Sequence, residues 1–285
     1  MSVPFKVDLS GKVAAVTGGS GMLCSRMAVA LAECGARVAV LSRRQEAVDA
    51  VAGEIRDAGG EAVGISCDVL DRESITAANR TIEETYGPID ILINGAGGNH
   101  PKGTASVERL RVDDLKSDDP DLRTFFELDP AGVSFVFDLN FMGTLLPTQI
   151  FARSMAERES GTILNISSMA AFLPLTKVAA YSAAKAAIDN FTRWLAVHMS
   201  PVGVRVNAIA PGFYLTEQNR TLLTQEDGSL TPRGETIVSQ TPAGRFGQPH
   251  ELIGTLLWLV DDKASSFVTG IVVPVDGGFS AFSGV

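Results

Sequence analysis

The chain has 285 residues, 45% hydrophobic and 20% charged, with a formal charge of −9 and basic residues scattered rather than clustered. That balance suits one large α/β domain with a sizeable core, and it excludes a nucleic-acid-binding or anionic-membrane protein held by basic patches. Three cysteines (Cys24, Cys34, Cys67), none in a C-x-x-C spacing, form neither a disulfide framework nor a metal site, so no metal is expected.

No stretch approaches the ~20 apolar residues of a membrane span, and MSVPFKVDLSGK at the N-terminus lacks a signal-type apolar run. The expected location is cytoplasmic. Val13 to Thr17 reads as a strand that stops at Gly18-Gly19-Ser20-Gly21, and a helix follows from Met22 to Cys34 with Gly35 as its C-cap. Strands are predicted at 37–41, 62–66 and 89–93, separated by helices at 45–58 and 72–86. The fourth strand ends in Asn94-Gly95-Ala96-Gly97-Gly98. The polar, acidic segment 101–130 reads as a long loop holding one short helix. A long helix is expected over 133–156, kinked near Pro147.

A strand at 161–166, a helix at 180–200 and a strand at 204–209 follow. A polar lid at 213–240, a helix at 249–260 and a seventh strand at 271–275 complete the order. Strands alternating with helices predict a single-domain α/β fold, a Rossmann-type doubly wound parallel sheet of about seven strands with helices on both faces. Without repeats or linkers, the domain spans 1–285. Its cofactor half covers about 10–160, and its catalytic helix, lid and C-terminal segment about 161–285.

A strand, a glycine turn and a helix N-terminus at the start of such a sheet form a phosphate cradle. Gly18, Gly19, Ser20, Gly21 and Met22 are the candidates. A carboxylate at the end of the second strand would hold the adenosine ribose and repel a 2′-phosphate, whereas arginine would accept it. The chain has Ser42-Arg43-Arg44 there and no acid, so NADP(H) is favoured over NAD(H). Asp68 with Val69 is placed for the adenine edge, and Asn94, Gly95, Ala96 and Gly97 to pass beneath the ribose and nicotinamide. Tyr181 and Lys185, four apart on a helix, share one face. A neighbouring positive charge favours the phenolate, and a phenol so tuned is a proton donor or acceptor for a carbonyl–alcohol pair.

Together these motifs resemble the short-chain dehydrogenase/reductase family across nearly the whole chain. The matching features are Thr17-Gly18 with its turn, Asn94 to Gly97, Asn140, Ser168, Tyr181-x-x-x-Lys185, Pro211-Gly212 with Thr216, and Val275-Asp276-Gly277-Gly278. The resemblance implies that Tyr181 exchanges the proton with the substrate oxygen and that Lys185 lowers its pKa and holds the nicotinamide ribose. It implies that Ser168 polarises the carbonyl and Asn140 completes a proton relay through water. Pro211, Gly212, Phe213 and Thr216 join the cofactor contacts, and a homo-oligomer, dimer or tetramer, is implied as well.

Two features depart from the family pattern. Gly21 comes one position early for T-G-x-x-x-G-x-G, a spacing closer to the sugar-nucleotide-modifying branch, and Cys24 stands where a third glycine is usual. The segment between Gly98 and Asn140 is also long for the family.

More narrowly, Gly97-Gly98-Asn99-His100-Pro101-Lys102, the lid Pro211 to Arg220 and the ending Gly277-Gly278-Phe279-Ser280 resemble D-mannonate oxidoreductases, also called fructuronate reductases. That implies reversible reduction of a sugar acid, D-fructuronate to D-mannonate. Asn99, His100, Glu217, Gln218 and Asn219 would serve the polyol, and Lys102 and Arg220 its carboxylate, with Ser168 touching the reacting carbonyl. The alternatives are another keto substrate (5-ketogluconate, a cyclic ketone, an acyl thioester), an epimerase or dehydratase with retained cofactor, and a nucleotide-sensing scaffold without turnover.

Overall fold

The structure, a computed structural model, describes residues 6–216, 220 and 222–284. Seven strands form one parallel sheet: β1 (Val13–Thr17), β2 (Arg37–Ser42), β3 (Glu61–Ser66), β4 (Ile91–Asn94), β5 (Gly161–Ile166), β6 (Val204–Pro211) and β7 (Val272–Val275). Their spatial order is β3-β2-β1-β4-β5-β6-β7. Both faces of the sheet are covered, which is why the central strands read as unbroken apolar runs rather than as alternations.

In β1, Ala14 and Val16 face a layer with Met27 and Leu31 of α1 (Met22–Glu33) and Ile55 of α2 (Gln45–Asp57). Val13 and Ala15 face the opposite layer, with Ile75 and Ile82 of α3 (Arg72–Tyr86) and with Phe151 and Met155 from a later helix. Strand order reverses between β1 and β4, and the sheet's ligand crevice opens outside the carboxyl ends of those two strands.

The expected helix over 133–156 is two helices joined by a π turn. α4 (Pro130–Phe137) leads into the π turn Asp138–Met142 and then α5 (Gly143–Glu157), with Pro147 buried inside α5. The break therefore lies upstream of the proline. Its cause is Asn140, whose Nδ2 donates to the Val136 carbonyl (2.8 Å), entering the ladder where a backbone N–H would otherwise bond. Gly143 N–H consequently reaches back five residues to Asp138 O.

The segment 101–130 holds two 3-10 turns, Pro101–Gly103 and Asp114–Lys116, in place of the expected single helix. It is folded back on itself by Ser106 N–H to Arg123 O (2.8 Å), and tied to the loop before the next helix by Ala105 N–H to Lys177 O (2.9 Å).

That next helix is α6 (Ala179–Met199). The lid carries α7 (Pro232–Ser239), started by Thr231, whose hydroxyl accepts from Gly234 N–H (3.1 Å). A 3-10 turn at Pro249–Leu252 precedes α8 (Ile253–Val260), and α9 (Asp262–Ser265) leads to β7. Among the described residues no helix is long and apolar enough to cross a membrane.

Candidate active site

A cleft of about 810 Å³ lies along the carboxyl ends of the strands. Of the expected cofactor residues, Gly18, Ser20, Gly21, Met22, Ser42, Arg43, Arg44, Asp68, Val69, Gly95, Ala96, Gly97, Tyr181, Lys185, Pro211, Gly212, Phe213 and Thr216 line it. Gly21 opens α1 with no side-chain cap and no acid in the first turn, so the helix presents amide donors and a positive dipole end to the cleft. The backbone is stripped of side chains where a pyrophosphate would approach. At Gly18, with φ of +63°, an added Cβ would stand 2.7 Å from Gly95 O. Ser20 Oγ donates to Ser42 Oγ (2.8 Å), joining the glycine turn to the end of β2. These features fit a nicotinamide dinucleotide.

Two expected cofactor residues are not among the cleft lining. Gly19 is turned toward the sheet, where a Cβ would meet Val16 O and Val40 at 2.8 Å. Asn94 is buried, and its Nδ2 donates to Thr148 Oγ1 and Asn165 Oδ1, both at 2.9 Å. It holds β4, β5 and α5 together instead of reaching a ribose.

At the β5–β6 end of the cleft stand Ser168, Tyr181 and Lys185. Lys185 is 4% exposed and donates from Nζ to the Ile166 carbonyl (2.8 Å), with the ammonium 5.6 Å from the Tyr181 ring centre. Burial pulls Lys185 down to about 8, against Cys24 and Asp189, which favour its charge. Burial also pushes the Tyr181 phenol up, and the Ser168 hydroxyl beside it draws it back down. The expected lowering by Lys185 does not emerge: the lost hydration of the phenolate is the larger effect, and only the Ser168 hydroxyl opposes it. The phenol is therefore held in its protonated form.

Ser168 also caps the 3-10 turn Met169–Ala171, its Oγ accepting from Ala170 N–H (3.2 Å). Asn140 sits behind this group, bonded by Nδ2 to Gly98 O (2.7 Å) and accepting at Oδ1 from Gly98 N–H (3.3 Å).

The expected substrate residues are less concentrated. Asn99, His100 and Lys102 are not among the residues lining the cleft. Asn99 Nδ2 donates to Thr104 Oγ1 (2.9 Å), His100 Nδ1 accepts from Lys102 N–H (3.2 Å), and Lys102 pairs with Asp129 at 3.7 Å. Together they shape the entry to α4. Arg220 is exposed, while Glu217, Gln218 and Asn219 lie outside the described residues. Among the described residues no cluster of metal ligands occurs.

Several cleft residues carried no sequence signal, among them Phe135 and Leu139 from α4 and the π turn, and Cys67 and Leu70 after β3. Tyr214 is tied by its hydroxyl to Val275 O (3.0 Å), and Phe213 meets Phe279 edge-on at 5.2 Å, so the C-terminal segment backs the lid. Cys24 is the most informative. Its Sγ fills the space that a Cβ on Gly95 would need, so a glycine on β4's loop compensates for the missing glycine on α1.

The chain belongs to the short-chain dehydrogenase family, whose model matches residues 12–227. It is therefore an oxidoreductase, a nicotinamide-dependent enzyme built on this fold. It is 50% identical over 283 residues, 99% of its length and 100% of the relative's, to UxuB of Bacillus subtilis (strain 168), an oxidoreductase of uncharacterised activity. A Haemophilus influenzae chain solved with bound NAD, and provisionally assigned as a D-mannonate oxidoreductase, superposes with a TM-score of 0.93 at 49% identity over 100% of both chains. A gluconate 5-dehydrogenase of Burkholderia cenocepacia J2315, solved with NADP and tartrate, superposes with a TM-score of 0.79 at 30% identity over 98% of both.

Proposed function

We propose that this enzyme reversibly reduces the keto group of a sugar acid, D-fructuronate to D-mannonate, with NADP(H) as the preferred cofactor. The observation that carries the reading is the cleft itself. Ser168, Tyr181 and Lys185 converge at one end, and Arg43 and Arg44, with no carboxylate beside them at the end of β2, stand at the other. The likeness to the provisionally assigned D-mannonate oxidoreductase and to a gluconate 5-dehydrogenase supports a sugar acid. The NAD in the first of these favours a second reading for the cofactor, NAD(H) in the same cradle.

Gly18, Ser20, Gly21, Met22 and Gly95 to Gly97 would hold the dinucleotide, with Arg43 and Arg44 on a 2′-phosphate, and the bound cofactor would supply or accept a hydride. Ser168 would donate to the carbonyl oxygen and hold it toward Tyr181. The phenol would then deliver its proton to that oxygen as negative charge develops there. Lys185, cationic at neutral pH, stabilises the phenolate left behind. Asn140 would hold a water through which the proton is replaced. Arg220, on the lid, is the proposed partner for the substrate carboxylate, with Lys102 displaced from Asp129 as the other. We also infer that the chain assembles as a homo-oligomer.

The test is the initial rate of D-mannonate oxidation with NADP+ and with NAD+. A rate with NADP+ well above that of Tyr181→Phe is expected, because losing the acid–base group costs about 10²–10⁴-fold. No difference between wild type and variant would reject the reading. A panel containing D-gluconate, 5-ketogluconate and a cyclic ketone places the substrate within the class.

A further inference from the structure

Ile166, Ser167 and Ser168, where β5 leaves the sheet, each engage one residue on a single face of α6. The Ile166 carbonyl accepts from Lys185 Nζ at 2.8 Å. The Ser168 hydroxyl stands by the Tyr181 phenol. Ser167 Oγ donates to Asp189 Oδ1. Tyr181, Lys185 and Asp189 are successive i, i+4 positions, so the three contacts stack as rungs along the helix. Two rungs belong to the proposed chemistry. The third, Ser167–Asp189, lies among the least exposed polar groups of the protein, at 2% and 4%.

A carboxylate buried this deeply is costly unless paired or hydrogen-bonded. Burial pushes Asp189 up, while the Ser167 bond, Arg193 and Lys185 pull it back toward the charged form. The groups facing Lys185 are the Tyr181 phenol, the Cys24 thiol on α1 and Asp189. Burial pushes the Cys24 thiol to about 11, so it is neutral where Lys185 titrates. Of the two groups that favour the ammonium, Cys24 and Asp189, Asp189 is the stronger acid and the one that ionises first.

We propose that Asp189, fixed by the Ser167 hydroxyl, is a positioning residue: the buried counter-charge that keeps Lys185 cationic and seated between Ile166 and Tyr181. Ser167 thereby anchors the group that sets the lysine. The proposal rests on the reading of Lys185 as part of the proton-handling group.

Its test is made on the cofactor-free protein, by following the Lys185 side chain through its titration with NMR of lysine-labelled chain, assigned by loss of the signal in Lys185→Met. Wild type should titrate near 8. Asp189→Asn, which keeps an acceptor for Ser167 but no charge, should lower the midpoint by about half a pH unit or more, leaving about threefold less cationic lysine at a fixed pH on that limb. Ser167→Ala should move it the same way and less. Asp189→Glu should hold the midpoint near the wild-type value.

An unmoved or raised midpoint in a folded Asp189→Asn or Ser167→Ala chain overturns the proposal. If Asp189→Asn does not fold, Ser167→Ala decides. Because no substrate enters the measurement, an error in the sugar assignment leaves it intact. If instead Lys185 played no part in turnover, the midpoint would fall in Asp189→Asn while the alkaline limb of kcat/KM stayed where it is in wild type.

Discussion

At Gly97 the backbone of the β4 loop passes so close to the proposed proton-handling residues that an added Cβ would stand 2.7 Å from Asn140 Oδ1 and 3.2 Å from Lys185 Nζ. Gly97→Ala must push both aside. Overpacking of this kind costs about 1–3 kcal/mol of stability, whereas displacing reacting groups by an ångström costs about 10²-fold in rate. The variant should therefore fold, melt only a few degrees lower, and lose kcat/KM about a hundredfold. Melting curves and steady-state rates on one preparation check both, and a full rate would show that this contact does not set the geometry. The i, i+4 spacing of Tyr181 and Lys185 was legible in the sequence because it is a local property of a helix. The direction of the Tyr181 shift was not, since it depends on how deeply α6 beds against β5. Nor was the exchange of roles between Cys24 and Gly95, which pairs residues on different βα units.

Among the elements, the strands and α1 to α3 follow the sequence closely, because each is set by a run of apolar residues ended by glycine or by a cap such as Asp71, whose side chain accepts from Glu73 N–H (2.9 Å). The π turn was hidden. Its cause is the Asn140 side chain bonding to Val136 O and Gly98 O, and no periodicity records a side chain that competes with its own backbone. Pro147, the strong local signal in this stretch, gave no hint of the interruption at Asp138–Met142.

α6 carries a second message. On its outward side Trp194 is 57% and Val197 76% exposed, Trp194 stacks on His198 at 4.8 Å, and Phe141 and Phe191 line a hollow of about 390 Å³ beside them. Apolar surface gathered in one place is a mark of association. The wild-type chain should run as a dimer or tetramer in size-exclusion chromatography with light scattering, and Trp194→Glu should shift it toward the monomer. A wild-type monomer at micromolar concentration would remove the inferred self-association.

Across the whole molecule, the strand order places the two ends of the cleft on different halves of the sheet. Arg43 and Arg44 follow β2, while Ser168 follows β5 and the Pro211–Gly212 turn follows β6. The cofactor must therefore span the point where the order reverses, and each end can be tested without disturbing the other. Binding to the folded state alone stabilises it by about 2.7 kcal/mol at a ligand concentration of a hundred times Kd. If the two arginines recognise a 2′-phosphate, NADP+ should raise Tm more than NAD+ at equal concentration. Replacing both Arg43 and Arg44 by alanine should remove that difference while leaving the NAD+ shift nearly unchanged, since the glycine cradle and the α1 N-terminus are untouched. Equal shifts in the wild-type protein would mean that these exposed arginines do not discriminate, and a larger shift with NAD+ would make NAD(H) the cofactor of choice. Either result reads the β2 end of the cleft directly, with no substrate present.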